Sequence, residues 1–571
     1  TSLYITTPME ADIMGIITQS AANRRDTMPK RRIIKPTLVA AAVATSLPAF
    51  AKLDVNAVAT AETIYQSVDT EENGNRSLTT VTVAPKVNAT YQTRTFQGLW
   101  SGTYTHLERD NDDASQRQDY AEYSYSAQWE PLENLLSFQA AGALSYQNTN
   151  ASNFLVTDFI ANSDSLAKTR SNRLSSTLTL DQGDWVRGQG TASYSDTASE
   201  RSLTNSNALD NDSYQLSGKL INGDEAEYFI WSVTGTYQNT ERGQANNGDF
   251  ESRTGDGYID TRIYGDWAIR LTARHEANQI SDRDDTNSLV REFNSYGVGL
   301  TYRQAENRYI SLTANKSDSD LGEDDGETFV GVDMQWALST RTRVAATYGR
   351  RFYGESASAS IGYNSKYLRT SFSYSEDVTN TSRLLADPEN LGVFVCPASS
   401  TSIADCFQPN SLSYTPSAGE QLVQLTSQNL EFDDNIILRK SANFQAGYDF
   451  SRITLAFSWR YAEDDYLDED RLRRTYSFGT NVAYKIGSYT NITSSINYAN
   501  ITGQGAEDVF RGESDNWNAS IGLERKFGRR LKASIDARYL KQEGDLNTGI
   551  SQFGNNYTDR RLSASITYTY D

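Results

Sequence analysis

The chain has 571 residues, 53 of them Lys or Arg and 73 Asp or Glu, for a formal charge of -20, so no nucleic-acid partner is expected. Mean hydropathy is -0.60 and no apolar run reaches the roughly 20 residues of a membrane-spanning helix, yet 34 Tyr, 21 Phe and 8 Trp are more aromatic surface than a solvated, structureless chain carries. Two Cys and two His leave little material for a thiolate metal site, a Cys nucleophile or a histidine cluster, so no metal, cofactor or enzymatic activity is expected.

From Met28 the sequence reads MPKRRIIKPTLVAAAVATSLPAFA. Lys30, Arg31, Arg32 and Lys35 precede an apolar stretch from Leu38 to Leu47, and Ala49-Phe50-Ala51 closes it. This is the basic segment, apolar segment and A-x-A cleavage site of an export signal over 28–51, which makes Lys52 the expected mature N-terminus. Residues 1–27 stand ahead of a complete signal and read as translated upstream sequence rather than product. Loss of the six basic and three acidic residues among the first 51 takes the net charge from -20 to -23.

Beyond Lys52 the ordered-looking segments alternate apolar and polar side chains, the pattern of two-faced strands. In chain order, Phe229, Trp231, Val233, Gly235 and Tyr237 share one face, as do Val330, Val332, Met334 and Trp336. Ile453, Leu455, Phe457, Trp459 and Tyr461 alternate with Arg452, Thr454, Ala456, Ser458 and Arg460. Leu531, Ala533, Ile535, Ala537 and Tyr539 alternate with Lys532, Ser534, Asp536 and Arg538, and Leu562, Ala564, Ile566, Tyr568 and Tyr570 with Ser563, Ser565, Thr567 and Thr569. The core face of a soluble sandwich would be mostly large branched aliphatics. Here Ala, Gly, Leu and Val occupy the middle and aromatics the ends, the arrangement of an apolar band between two aromatic girdles. An open sheet would leave edge N–H and C=O groups unpaired in hydrocarbon, so the sheet must close. The predicted fold is all-β, a transmembrane antiparallel up-and-down outer-membrane β-barrel over 52–571.

Short turns are predicted at Gln92 to Arg94, Pro131 to Asn134, Gln182 to Asp184, Asn222 to Glu225, Gly265-Asp266, Ala305 to Asn307, Ser339-Thr340, Ser365-Lys366, Ser451, Gly487-Ser488 and Phe527-Gly528. Mostly longer polar connections lie between them. Short periplasmic turns and long outer loops are the usual asymmetry of such barrels. Eleven turns interleaved with twelve loops give about 24 strands (22–26), with both termini in the periplasm. The expected surroundings are the lipid and lipopolysaccharide of a Gram-negative outer membrane.

Cys396 and Cys406 lie in the longest loop, about 378–435, with nine residues between them. Export to an oxidising compartment favours a disulfide, which would pin that loop over or into the pore. Acidic clusters mark several loops: Glu108, Asp110, Asp112 and Asp113; Asp282, Asp284 and Asp285; Glu323, Asp324, Asp325 and Glu327; and Glu463 to Asp465 with Asp468 to Asp470. None fits the calcium-loop pattern, and a solvated surface beside lipopolysaccharide is the plainer reading. His106, with Asp110, Asp112 and Asp113 just beyond it, could form a water-activating pair, but an isolated histidine in an acidic loop is the plainer reading there too. His275-Glu276 does not continue to H-E-x-x-H.

Arg187, Arg270, Arg274, Arg303, Arg343, Arg369, Arg460, Lys532 and Arg538 alternate with the lipid-facing set, so they should point into the lumen beside Glu122, Asp333, Glu524 and Asp536. A charge facing lipid would cost about 2–4 kcal/mol near the midplane. Two readings stay open: the cations pair with lumen acids and hold the barrel's shape, or they form a ladder along which anionic solutes exchange contacts.

The segments AETIYQS, TVAPKVNATYQ, YSYSAQWEPLENLLSFQA, GDWVRGQGTASYS and the closing YTDRRLSASITYTYD resemble the outer-membrane β-barrel family associated with PEP-CTERM protein sorting and exopolysaccharide clusters in Gram-negative bacteria. The resemblance runs over the whole mature chain as diffuse patterns, with Gln66-Ser67-Val68 and the final Asp571 as departures. It implies association with extracellular polysaccharide in a biofilm setting and carries over no functional residues. The expectation is a non-enzymatic, porin-like barrel that exports or docks an exopolysaccharide. The alternatives are a sheath around a lumen-filling partner protein, since barrels of about 22 strands are wide enough to hold one, and a general diffusion porin.

Overall fold

The alternation that starts at Lys52 becomes strand in a computed structural model of the chain. It describes residues 52–570 apart from 72–73, 111–116, 154, 157, 162, 202–207, 227, 244–248, 280–289, 320–325, 387–393, 398–405, 407–419, 424–430, 432–434, 468, 506–509 and 547–553. The expected signal segment 28–51 and residues 1–27 lie outside the described residues.

The first nine strands are β1 (Lys52–Thr70), β2 (Gly74–Gln92), β3 (Phe96–Asp110), β4 (Arg117–Leu132), β5 (Leu136–Asn148), β6 (Leu166–Leu180), β7 (Val186–Ser199), β8 (Asp210–Asn222) and β9 (Phe229–Arg242). The next eight are β10 (Phe250–Tyr264), β11 (Trp267–Gln279), β12 (Val290–Ala305), β13 (Arg308–Ser319), β14 (Thr328–Ser339), β15 (Thr342–Arg351), β16 (Gly354–Asn364) and β17 (Leu368–Thr379). A short helix α1 (Thr381–Ala386) and a small hairpin, β18 (Phe394–Pro397) with β19 (Glu420–Val423), interrupt the ladder. It resumes with β20 (Ile437–Phe450), β21 (Ile453–Tyr466), β22 (Arg471–Lys485), β23 (Thr490–Gly505), β24 (Gly512–Phe527), β25 (Leu531–Gly544) and β26 (Tyr557–Tyr570).

Each wall strand pairs antiparallel with its neighbours, and β17 pairs with β20 across the interruption. The seam is β26 on β1, from Thr70↔Tyr557 to Ala57↔Tyr570. The result is a closed ring of 24 strands. Closure matters because it leaves no edge strand, so the N–H and C=O groups at the seam find partners without water.

All eleven predicted short turns join strands at one end of the barrel, where Lys52 and Tyr570 also lie. The Gly265-Asp266 turn has φ +57° at Gly265, a conformation that glycine adopts without a Cβ clash. At the opposite end two connections are shorter than the composition suggested. Residues 71–73 join β1 to β2, and Phe352-Tyr353 joins β15 to β16. Their flanking segments look like loops because both faces are polar, yet strands that project beyond hydrocarbon ladder equally well, as in Asp69↔Asn75. The same holds for Glu463 to Asp465, which are β21 residues and not loop.

The side chains are arranged inside out relative to a soluble protein. Leu271 is 56 % exposed and Ile566 58 %, while Arg270 between Ile269 and Leu271 is 1 % exposed. Fully buried wall positions such as Thr80, Thr301 and Ser458 are polar. In water such a surface would be a large unburied apolar patch, whereas in a bilayer it is the lipid-facing band. Tyr264, Trp267 and Tyr570 mark the short-turn edge of that band, where amphipathic rings sit at headgroup level.

Candidate functional site

The nine predicted lumen cations lie on wall strands, and Arg187, Arg270, Arg303, Lys532 and Arg538 among them meet carboxylates. Arg270 binds Asp260 (Nε to Oδ1, 2.7 Å) and Asp333 (Nη1 to Oδ2, 2.7 Å), and Arg303 shares Asp260 at 2.8 Å. The rings of Tyr258 and Tyr309 lie 3.9 and 5.3 Å from the Arg270 guanidinium. Arg187 reaches Asp224 and Glu306, each at 3.2 Å. Lys532 pairs with Glu524 at 3.1 Å and Arg538 with Asp158 at 3.0 Å. Arg369 and Arg460 are buried, whereas Arg343 is exposed close to the short turn of β15.

Two contacts span more wall than side chains can bridge along its curve. Arg187 on β7 meets Glu306 in the β12–β13 turn, and Arg351 on β15 meets Glu276 on β11. At about 4.8 Å per strand those separations are roughly 24 and 19 Å along the sheet. The β12–β13 turn and the tip of the β15–β16 hairpin therefore lean inward. Phe352 at that tip packs with Phe250, Phe293, Val378, Ile436 and Leu438. Side chains thus pack across part of this sector of the lumen.

Two connections cross the lumen. The first, 149–165 between β5 and β6, reaches β24 to β26 across the seam. Ser514 Oγ and Asn516 Nδ2 donate to the Ser152 carbonyl at 2.9 and 2.8 Å, and Asn153 Nδ2 donates to Gln542 (2.9 Å) and Tyr557 (2.7 Å). Arg109 Nη2 donates to the Phe159 and Ile160 carbonyls. Apolar anchoring comes from Ile160 against Ile64 and Leu107, and from Val156 and Ala161 against Leu540. The Asp158 carboxylate is held on both oxygens. Oδ1 accepts from the Ile160 and Ala161 N–H groups, and Oδ2 from Arg538 (3.0 Å) and Arg561 (2.8 Å). Burial alone would raise its pKa, but the Arg561 and Arg538 guanidiniums outweigh that and bring it to about 2.

The second crossing segment is the cysteine loop between β17 and β20. Ser382 of α1 contacts Thr197 on β7 and Asn211 on β8. Cys396 and Cys406 form a disulfide that packs with Phe394 on Ala456 of β21, the fourth residue in from a short turn. The loop thus descends through the lumen. Glu431, further along it, binds Arg471 and lies 3.7 Å from Arg473. Arg473 also donates to the Ala151 carbonyl, so one guanidinium touches both crossing segments.

Open space remains in the sector of β1 to β3 and β22 to β26. A cavity of about 760 Å³ lies toward the short-turn end, and a second of about 550 Å³ lies directly under Asp158, Phe159 and Ile160. They share Glu62, Ala84, Ser495, Ser520 and Asp536 and form one chamber with a loop for a roof. Its walls are rich in hydroxyls, among them Thr60, Thr103, Thr493, Ser495, Ser520 and Thr567. Among the described residues no group of three or more His, Cys, Asp or Glu side chains could hold a metal ion.

His106 bonds Asp119 at 2.7 Å, and Tyr104 donates to the same carboxylate at 2.7 Å, all on exposed positions. Asp112 and Asp113, the predicted partners along with Asp110, lie outside the described residues, as do Asp282, Asp284, Asp285, Glu323 to Asp325 and Asp468. His275 bonds Asn294 at 2.7 Å. Sequence reasoning missed Arg109, Arg473 and Arg561. The alternation signal was present for Arg561, which falls on the face of Ser563 and Ser565, and for Arg473, on the face of Thr475 and Ser477. Nothing local marked Asp158.

A closed, lipid-banded ring with a roofed polar chamber defines a large transmembrane β-barrel of the outer-membrane type. No family model matches the chain, and no curated protein matches it in sequence. Solved structures to which it is similar include BauA, the ferric preacinetobactin receptor from Acinetobacter baumannii, at 11 % identity and TM-score 0.41, covering 91 % of this chain and 81 % of that one. The FrpB iron transporter from Neisseria meningitidis (F5-1 variant, apoprotein form) is 9 % identical with TM-score 0.40, covering 90 % and 81 %. The copper transporter OprC is 11 % identical with TM-score 0.38, covering 92 % and 81 %. Superpositions this loose say nothing about a ligand; the fold is established by the strand register.

Proposed function

We propose that this barrel is a non-enzymatic outer-membrane conduit or docking site for an exopolysaccharide, belonging to a PEP-CTERM-type surface and biofilm system and gated by its own crossing loops. The short turns face the periplasm and the rim carrying the longer loops faces lipopolysaccharide. The observation that carries the reading is the chamber under 149–165. Its hydroxyl lining offers both donors and acceptors, which suits a polyhydroxyl polymer better than an apolar solute. A sheath around a partner protein is disfavoured, because a partner would have to displace two segments that already enter the lumen.

Planar-bilayer conductance of the purified barrel tests this. The intact protein should conduct weakly, replacement of 150–161 by a short Gly-Ser linker should raise the current several-fold, and an acidic polysaccharide should block it. A large steady current through the intact protein that polysaccharide leaves unchanged would return it to the class of general diffusion porins.

A further inference from the structure

The chamber roof has an unusual chemistry for a structural contact. Two guanidiniums from adjacent strands, Arg538 on β25 and Arg561 on β26, converge on one carboxylate oxygen of a crossing loop. Both line the same cavity as that carboxylate. Arg561 keeps a second partner, Asp559, at 2.8 and 2.5 Å, and Gln66 steadies Asp559 at 2.8 Å. Arg538 Nε donates to the Asn518 side-chain oxygen Oδ1 at 3.1 Å. The pair is thus positioned by the wall itself, and Asp158 is the part of the arrangement carried by a loop. Arginine in such a fixed fork is suited to carboxylates. The cavities beneath it, about 550 and 760 Å³, fall within the range of roughly 300–1,000 Å³ typical of small-molecule sites.

We infer that Arg538 and Arg561 form a carboxylate-binding subsite of the conduit, occupied at rest by Asp158 and taken over by the carboxylate of a uronic-acid-bearing oligosaccharide when the chamber fills. This rests on the conduit reading and names its substrate class. The exchange conserves charge, since one carboxylate leaves the two guanidiniums as another arrives. No bond is made or broken, and the released loop loses the ion pairs that hold its centre against β25 and β26. Neutral sugars lack the group that would displace Asp158, so the gate discriminates by charge, and the hydroxyl walls serve any sugar.

The test uses trigalacturonate and maltotriose as acidic and neutral probes on the full purified barrel. In the unaltered protein, trigalacturonate should speed amide hydrogen exchange across 149–165 and maltotriose should not. Asp158→Asn removes the competing charge while keeping the side-chain shape, and should tighten trigalacturonate binding about ten-fold, the equivalent of one charge-assisted hydrogen bond, with maltotriose unchanged. Adding Arg561→Gln should abolish that gain. Equal effects of the two sugars, or no gain in Asp158→Asn, would overturn the subsite. Conductance separates the two readings: acidic binding as expected with no current in Asp158→Asn leaves the subsite standing and removes the conduit, whereas current without acid-selective binding does the reverse.

Discussion

At the scale of single residues, Asp158 gives the lumen an acid-sensitive joint. Its folded pKa of about 2 lies below the usual carboxylate value near 3.9. A depressed value means the ionised form is preferred in the docked loop, so the stabilisation is complete above about pH 4 and is lost as pH falls through about 2. The side chain is only 20 % exposed, and the displacement corresponds to about 2 kcal/mol. The charged and titratable groups around it are Arg538, Arg561, Arg109, Asp559 and Tyr557. The protection of the 149–165 amides, taken as exchange relative to the intrinsic rate at each pH from 5 to 2, should fall on the acid side. In Asp158→Asn the loop should exchange faster at pH 5 and change less on acidification. An unchanged acid response in that variant would assign the transition to other carboxylates.

At the scale of elements, the cysteine loop and the wall strands differ in what holds them. The wall is a continuous ladder, whereas the loop depends on a few anchors: Ser382 on β7 and β8, the disulfide on Ala456, and Glu431 on Arg471. Closing a ring of about ten residues limits the unfolded loop by about 3 kcal/mol. Replacing both Cys396 and Cys406 by Ser should therefore make 380–436 more susceptible to chymotrypsin, whose sites there include Phe394, Phe407 and Tyr414, in the folded barrel and leave the melting temperature of the wall nearly unchanged. A matched fall in wall stability would mean that loop and ladder unfold together. The contrast also explains what could be read in advance. Hydrocarbon forces period-two alternation, so strands such as Leu562 to Tyr570 and all eleven short turns were legible, and so was the inward direction of Arg270. Which acid each cation meets was not, because Asp158 and Arg561 are 403 residues apart and a crossing loop has no periodicity to betray its docking wall.

At the scale of the whole molecule, the ring is uniform in topology but not in what it encloses. On β10 to β13 the inner face is packed: Thr301 is fully buried, Ser311 nearly so, and the Asp260, Arg270 and Arg303 cluster lies beside them. From β22 through the seam to β3 it lines open volume. Gly299 lets β12 and β13 approach closely there, since a Cβ would come within 2.0 Å of the Leu312 carbonyl oxygen on the paired strand. A solute that crosses is therefore expected on the seam side, away from β10 to β13. Single cysteines distinguish the sides, because both native cysteines are tied in the disulfide. In the barrel whose 150–161 segment is replaced, Cys at Ser520 or Thr567 should react with a charged methanethiosulfonate reagent and reduce the current, while Cys at Thr301 or Ser311 should remain unmodified. Equal reaction on both sides would require the packed sector to open along with the loop, and the lumen would then act as one wide pore rather than a channel along the seam.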